Sequence, residues 1–328
     1  MKAKDARDTF RGALLGTACG DAAGMPFEFA MPPTISRVLP RISGPESRAR
    51  WASEFKGIWT DDTMMTLCHA RSLARLGKLD PEDTGREFVA WVDTGDLRGI
   101  GFTCHGAIKK LKAGVPWDRA GKTGVTAAGN GAAMKIAPVG LFGSHDLERL
   151  RDDCRIATLI THNCDEAFAG ARAVAFAVAL AARRELDPAT LIDRTIAFVG
   201  PSKTAERLRR VAVLLHEKTA PVHALLDLKC GGYVVETVGA SFFSFLASPD
   251  DPELAMATAV LGGFDADTTA AVTGALAGAY AGQSGLPAAW LAKLEAASEI
   301  LDLADRLHDR WIEVASQQGP ESGGPARP

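Results

Sequence analysis

The chain has 328 residues, 47% hydrophobic and 23% charged, enough apolar sequence to bury a substantial core in one large domain or two ordinary ones. A net charge of −3 gives no general attraction for nucleic acid or an anionic membrane, so neither is an expected partner and an anionic ligand needs a local site. The six cysteines include no C-x-x-C pair, which argues against a zinc knuckle or redox motif and for free thiols in a reducing, cytoplasmic setting. No apolar run is long enough for a membrane span.

Strand signals are scarce and helical periodicity is nearly continuous. In chain order, helices are expected over 6–19, 62–76, 81–92, 101–113, 147–161, 165–183, 187–198, 202–217, 233–247, 252–261, 268–282 and 287–317. Pro, Asp, Ser or Thr opens many of them and Gly closes several. The proline-rich segment 31–54 and the segment 114–131 read as loops, and the Gly/Pro-rich residues 318–328 as a disordered tail. No linker or fixed-period repeat divides the chain, so 1–317 is expected to be a single compact all-α domain, acting as a monomer.

Three acidic clusters stand out because each is embedded in apolar sequence at an expected helix end. They are Glu28, which follows Gly20-Asp21-Ala22-Ala23-Gly24; Thr60-Asp61-Asp62; and Asp265-Ala266-Asp267-Thr268. Carboxylates near a core repel one another and lose hydration unless a cation compensates. Carboxylates and hydroxyls are the ligands that Mg²⁺ and Mn²⁺ prefer, so the set suits a two-metal site. For any one cluster the plain alternative is N-capping of the following helix. Against it, Gly274, Gly278 and Gly282 recur every four residues, spacing that lets another backbone approach closely and places the acidic end of that helix inside the fold.

Gly129-Asn130-Gly131, ahead of a small-residue run, could present backbone N–H groups to a phosphate or serve as an ordinary turn. It is not a Walker loop. Thr161-His162-Asn163 ends a helix, where a lone histidine is more often structural. Gly101-Phe102-Thr103-Cys104 reads as a turn opening a helix. The dipeptides His145-Asp146 and His308-Asp309 raise a metal-dependent phosphohydrolase as an alternative, but both read as surface residues.

Taken together, Arg11–Gly16, Gly20–Gly24 with Glu28, Trp59–Met64, Gly129–Met134, Thr161-His162-Asn163 and Gly263–Thr268 resemble the ADP-ribosylglycohydrolase family over nearly the whole chain. The likeness is greatest to its bacterial branch that reactivates dinitrogenase reductase. The resemblance implies an all-α fold with two Mg²⁺ or Mn²⁺ ions at its centre. Their ligands would be Thr60, Asp61, Asp62, Asp265, Asp267 and Thr268, with Glu28 near the first ion. Gly129, Asn130, Gly131 and His162 would meet ADP-ribose. Asp96, or else Asp93, would face an arginine leaving group. The implied activity is hydrolysis of the glycosidic bond between ADP-ribose and a protein side chain, arginine first, with Glu28 and Asp62 as candidate acid–base groups. A non-catalytic ADP-ribose binder on the same scaffold, or a hydrolase of a serine, nucleic-acid or small-molecule linkage, is the alternative.

Overall fold

Two helices rich in small residues form the axis of the molecule. In the computed structural model, which describes residues 2–317, Ala6–Gly24 and Ala266–Ala281 lie antiparallel along their full lengths. The expected tail at 318–328 lies outside the described residues. The partner foreseen for Gly274 and Gly278 is a matching row, Gly12, Gly16, Gly20 and Gly24. A Cβ on Gly16 would stand 2.2 Å from the carbonyl oxygen of Gly274, and one on Gly20 would stand 1.9 Å from that of Ala270. Only glycine allows backbones this close. Both helices are buried almost throughout, and their near-continuous contact sets the N-terminus of one beside the C-terminus of the other.

Further helices wrap this pair. Pro252–Leu261 and Val234–Leu246 pack on Ala266–Ala281, and Ala297–Gln317 packs on Ala6–Gly24. Asp165–Ala182 joins the layer and packs against Ala137–Phe142 and Leu147–Leu159. The core is contiguous, from Phe10 and Leu14 through Phe242 to Trp290. The only sheet among the described residues is a two-residue parallel pair, Lys122–Thr123 beside His162–Asn163. All six cysteines are free thiols, and among the described residues no helix is long and apolar enough to cross a membrane.

Several expected boundaries need correction. The segment 31–54 is not one loop but holds two helices, Pro32–Val38 and Pro45–Glu54. In each, proline sits in the first turn, where its missing N–H costs nothing, and Trp51 anchors the second in the core. The helix expected over 287–317 is broken into Ala288–Leu291 and Ala297–Gln317. Between them the Glu295 amide donates to Gly57 O, the Trp59 indole donates to Glu295 O, and Ala296 adopts φ +53°. These tertiary bonds displace continued helix. Pro221–Leu228 and Ala137–Phe142 were not anticipated. His308 is not a surface residue: it is buried on the apolar face of the last helix against Phe10.

Candidate active site

The close pairing of the axial helices brings Asp21, near the end of the first, to the acidic start of the second and to the helix Asp61–Leu76. Asp21 is fully buried, and its carboxylate gathers four donors. The Thr60 amide donates at 2.9 Å to each oxygen, the Thr60 hydroxyl lies 2.9 Å from Oδ1, and the Thr63 amide and hydroxyl donate to Oδ2 at 3.0 and 2.6 Å. Burial pushes the Asp21 pKa up, against the pull of these bonds. The sequence reading gave Asp21 no role, although it stands in the Gly-Asp-Ala-Ala-Gly run; the four-residue glycine spacing that buries it was the available signal.

Thr60 and Asp265 occupy N-cap positions, yet neither side chain caps its helix. Elsewhere the caps are made normally: Asp5, Asp80, Asp146, Ser202 and Asp251 each accept from a backbone amide three residues on. Capping therefore does not explain the acidic clusters. Instead Glu28, Asp61, Asp62, Asp265, Asp267 and Thr268 line one cleft of about 360 Å³. Thr60 lies just behind it, its hydroxyl 3.2 Å from Asp62 Oδ2, which Thr268 Oγ1 approaches to 3.4 Å. Asp62 Oδ1 is buried with no hydrogen-bond partner.

Backbone geometry fixes the two outer acids. Phe29 and Phe264 both have positive φ, at 62° and 57°, a strained choice for aromatic residues. They are tied by Phe29 N–H to Phe264 O at 2.6 Å and by Phe264 N–H to Ala30 O at 2.8 Å. This clasp places the flanking Glu28 and Asp265 beside each other. Asn130 braces Asp265 from the opposite wall, donating from Nδ2 to Asp265 Oδ2 at 2.9 Å and to Thr237 Oγ1 at 3.0 Å.

Electrostatically the acids are frustrated. Burial first, and then the neighbouring carboxylates, push Asp62 and Asp267 well above the ordinary range and Asp61 up to about 7. Half-buried Glu28 is raised by burial, then by Asp265 and Asp21. Among the described residues no group of three or more His, Cys, Asp or Glu side chains is arranged to hold a metal ion. The fit to a divalent cation rests on the donors: carboxylates and a hydroxyl sharing one cleft, with the orphaned Asp62 Oδ1 among them. A cation would relieve both the repulsion and that unpaired oxygen.

Gly129, Asn130, Gly131 and His162 line the facing wall. Asn130–Ala132 form a single 3₁₀ turn rather than the start of a helix; the next helix, Ala137–Phe142, is short and begins five residues further on. The Asn130 amide is spent on Gly232 O, so Asn130 serves the fold as well as the cleft. Gly131 must lack a side chain, because a Cβ there would stand 2.8 Å from His162 Cε1 and 2.9 Å from Cys104 Sγ. Neither candidate for the leaving-group contact lines the cleft. The Asp96 carboxylate is paired with Arg98 at 2.7 Å and that of Asp93 with Lys112. Arg98 spans to Glu295, stacks 4.2 Å from the Trp59 ring and offers its carbonyl to the Asp61 amide. That edge of the cleft is formed instead by Gly99, Gly101 and the 98% exposed Phe102. His145 and His308 lie outside the cleft lining.

A profile of the ADP-ribosylglycohydrolase family matches residues 2–317. Among curated proteins, the ADP-ribosylarginine hydrolase Tri1 of Pseudomonas putida is 30% identical, over 95% of this chain and 81% of its own. The ADP-ribosyl-[dinitrogen reductase] glycohydrolase of Rhodospirillum rubrum is 28% identical, over 90% of this chain and 93% of its own. A solved structure described as an ADP-ribosylglycohydrolase-related protein complex superposes with a TM-score of 0.72 at 29% identity, covering 94% of this chain and 99% of that one. Profile, sequence relatives and fold thus agree across nearly the whole described chain, and it belongs to the ADP-ribosylglycohydrolase family.

Proposed function

We propose that this protein hydrolyses the bond between the distal ribose of ADP-ribose and a modified arginine side chain, releasing free ADP-ribose. Family membership supports an ADP-ribosyl hydrolase, and the relatives named ADP-ribosylarginine hydrolases support arginine as the leaving group. The observation that carries the reading is the convergence of Glu28, Asp61, Asp62, Asp265 and Asp267 on one cleft opposite Gly129–Gly131 and His162. Cytoplasmic ADP-ribosylated protein is the proposed substrate, and the protein acts as a monomer.

Thr60, Asp61, Asp62, Asp265, Asp267 and Thr268 would hold two Mg²⁺ or Mn²⁺ ions, with Glu28 beside the first. When bound, such ions supply Lewis-acid stabilisation of ribose oxygens and of a nearby water. The rest falls to the chain. The wall of Gly129, Asn130, Gly131 and His162 holds the diphosphate, far from the reacting carbon, and its binding energy positions the ribose. Glu28 is half-buried at the cleft with a raised pKa and takes the proton of the attacking water. The water oxygen bonds to the anomeric carbon as the carbon–nitrogen bond breaks, through an oxocarbenium-like transition state; the bonding pair leaves with nitrogen as neutral guanidine, which then receives the proton Glu28 took from the water. Asp62, whose Oδ2 lies 3.2 Å from Thr60 Oγ1 and 3.4 Å from Thr268 Oγ1, is the second acid–base group of the cleft.

The test is incubation with ADP-ribosyl-arginine and ADP-ribosyl-serine proteins in Mg²⁺, Mn²⁺ or EDTA. Metal-dependent release of ADP-ribose from the arginine linkage supports the reading. Release from serine alone would move the substrate, and tight binding of ADP-ribose without release from either would make the protein a binder.

A further inference from the structure

Beneath the Gly129–Gly131 turn lies a lysine that the cleft chemistry above does not use. Lys135 is fully buried, and its Nζ donates to the Gly131 carbonyl and, at 2.8 Å, to Thr161 Oγ1. Thr161 is buried too, with Oγ1 2.8 Å from His162 Nδ1. An ammonium group has only protons to give, so the Thr161 oxygen accepts from Lys135. Its single hydroxyl proton is then directed at Nδ1, which must accept it. In a neutral imidazole the remaining ring proton therefore sits on Nε2. That nitrogen is on the edge facing the turn: a Cβ placed on Gly129 would lie 3.1 Å from it and one on Gly131 3.3 Å from it. Both glycines, and His162 itself, line the cleft.

We propose that Lys135 is a positioning residue which, through Thr161, holds His162 as the neutral Nε2–H tautomer and aims that N–H at a phosphoryl oxygen of the bound ligand. The aim at phosphate rests on the diphosphate reading of this wall; the tautomer does not. Burial, reinforced by Lys135 and Lys122, drives the His162 pKa well below its ordinary value, which keeps the ring neutral. Burial also lowers Lys135, while Cys104, Asp61 and Asp62 oppose this. By binding the Gly131 carbonyl as well, the same ammonium group fixes the turn and the ring relative to each other.

The test uses ¹⁵N-histidine-labelled protein, with the His162 signals identified by their loss in His162→Gln. Long-range ¹H–¹⁵N spectra at neutral pH should show Nε2 protonated and Nδ1 bare in the wild type and in Lys135→Arg, since arginine is also a pure donor. Lys135→Met and Thr161→Val should lose this single tautomer and bind ADP-ribose about tenfold more weakly by calorimetry, the loss of roughly one hydrogen bond. If Lys135→Met does not fold, Thr161→Val decides with the same two readouts. A wild-type proton on Nδ1, or a tautomer and affinity unmoved by Thr161→Val, overturns the proposal. The expected tautomer pattern in a protein that fails to bind ADP-ribose supports the relay and overturns the diphosphate reading instead.

Discussion

Replacing Asp21 by asparagine removes a single acceptor oxygen from a site that has four donors to satisfy. With NH₂ in place of Oδ1 it faces the Thr60 hydroxyl, the Thr60 amide keeping Oδ2; with NH₂ in place of Oδ2 it faces the amide and hydroxyl of Thr63. Each buried donor left without a partner costs about 1–3 kcal/mol, so the one or two left here cost roughly 1–6 kcal/mol. Loss of a buried charge close to Asp62 gives part of this back. The expected net loss is about 1–4 kcal/mol, or, at about 1.5 °C per kcal/mol for a chain of this length, a fall in Tm of roughly 2–6 °C. The same bonds set the start of the helix Asp61–Leu76, and displacing its two acids by even about 1 Å should lower kcat/KM on the order of 100-fold. Thermal unfolding and ADP-ribose release, measured on one preparation, check both numbers. A Tm within about 1 °C of wild type with kcat/KM within about threefold would refute the claim that Asp21 organises this site.

Gly16→Ala sets a methyl 2.2 Å from a backbone oxygen of the partner helix and should cost about 2–3 kcal/mol or more in urea unfolding, whereas Gly106→Ala, with nothing nearby, should be neutral or stabilising by about 0.5–1 kcal/mol. An acid whose pKa is raised on folding contributes stability that is complete below its unfolded value and lost as pH rises through its folded value. For Asp61 that window runs from 3.8 to about 7, and Asp62 and Asp267 shift in the same direction. The rise in Tm on adding Mg²⁺ should therefore be larger at pH 8 than at pH 5, and equal gains at both would count against a cation among these acids. Asp96→Asn, whose carboxylate is paired with Arg98 outside the cleft, should leave arginine-linked turnover within about threefold, while Asp62→Asn should lower it about 100-fold or more; steady-state assays separate the two.

Much of this architecture was legible because its signals are local. The helix Pro81–Asp93 follows from an Asp N-cap, proline in the first turn and apolar periodicity, all within one segment. The glycine row in Ala266–Ala281 announced a close neighbour, but which helix it met depended on a contact between the two ends of the chain. The apolar setting of the acidic clusters was enough to group them as a candidate two-metal site, but no spacing rule links Glu28 to Asp267, and only the fold shows that they share one cleft. Asp21 escaped notice because its role is to accept bonds from a segment 39 residues away. Asp96 pairs with Arg98 and does not line the cleft, a pairing the sequence does not display. The helix Pro45–Glu54 was hidden by prolines that read as breakers but stand where helices begin.

Equilibrium binding of Mn²⁺ tests the centre of this account most directly, because it asks whether the shared acids hold cations at all. Titration of the purified protein, followed by electron paramagnetic resonance, should find two ions per chain, with at least one lost in Asp267→Asn and an Asp21→Asn variant weakened rather than emptied. No binding in the wild type, or equal binding in wild type and Asp267→Asn, would contradict the assignment of the cleft as a dinuclear metal site.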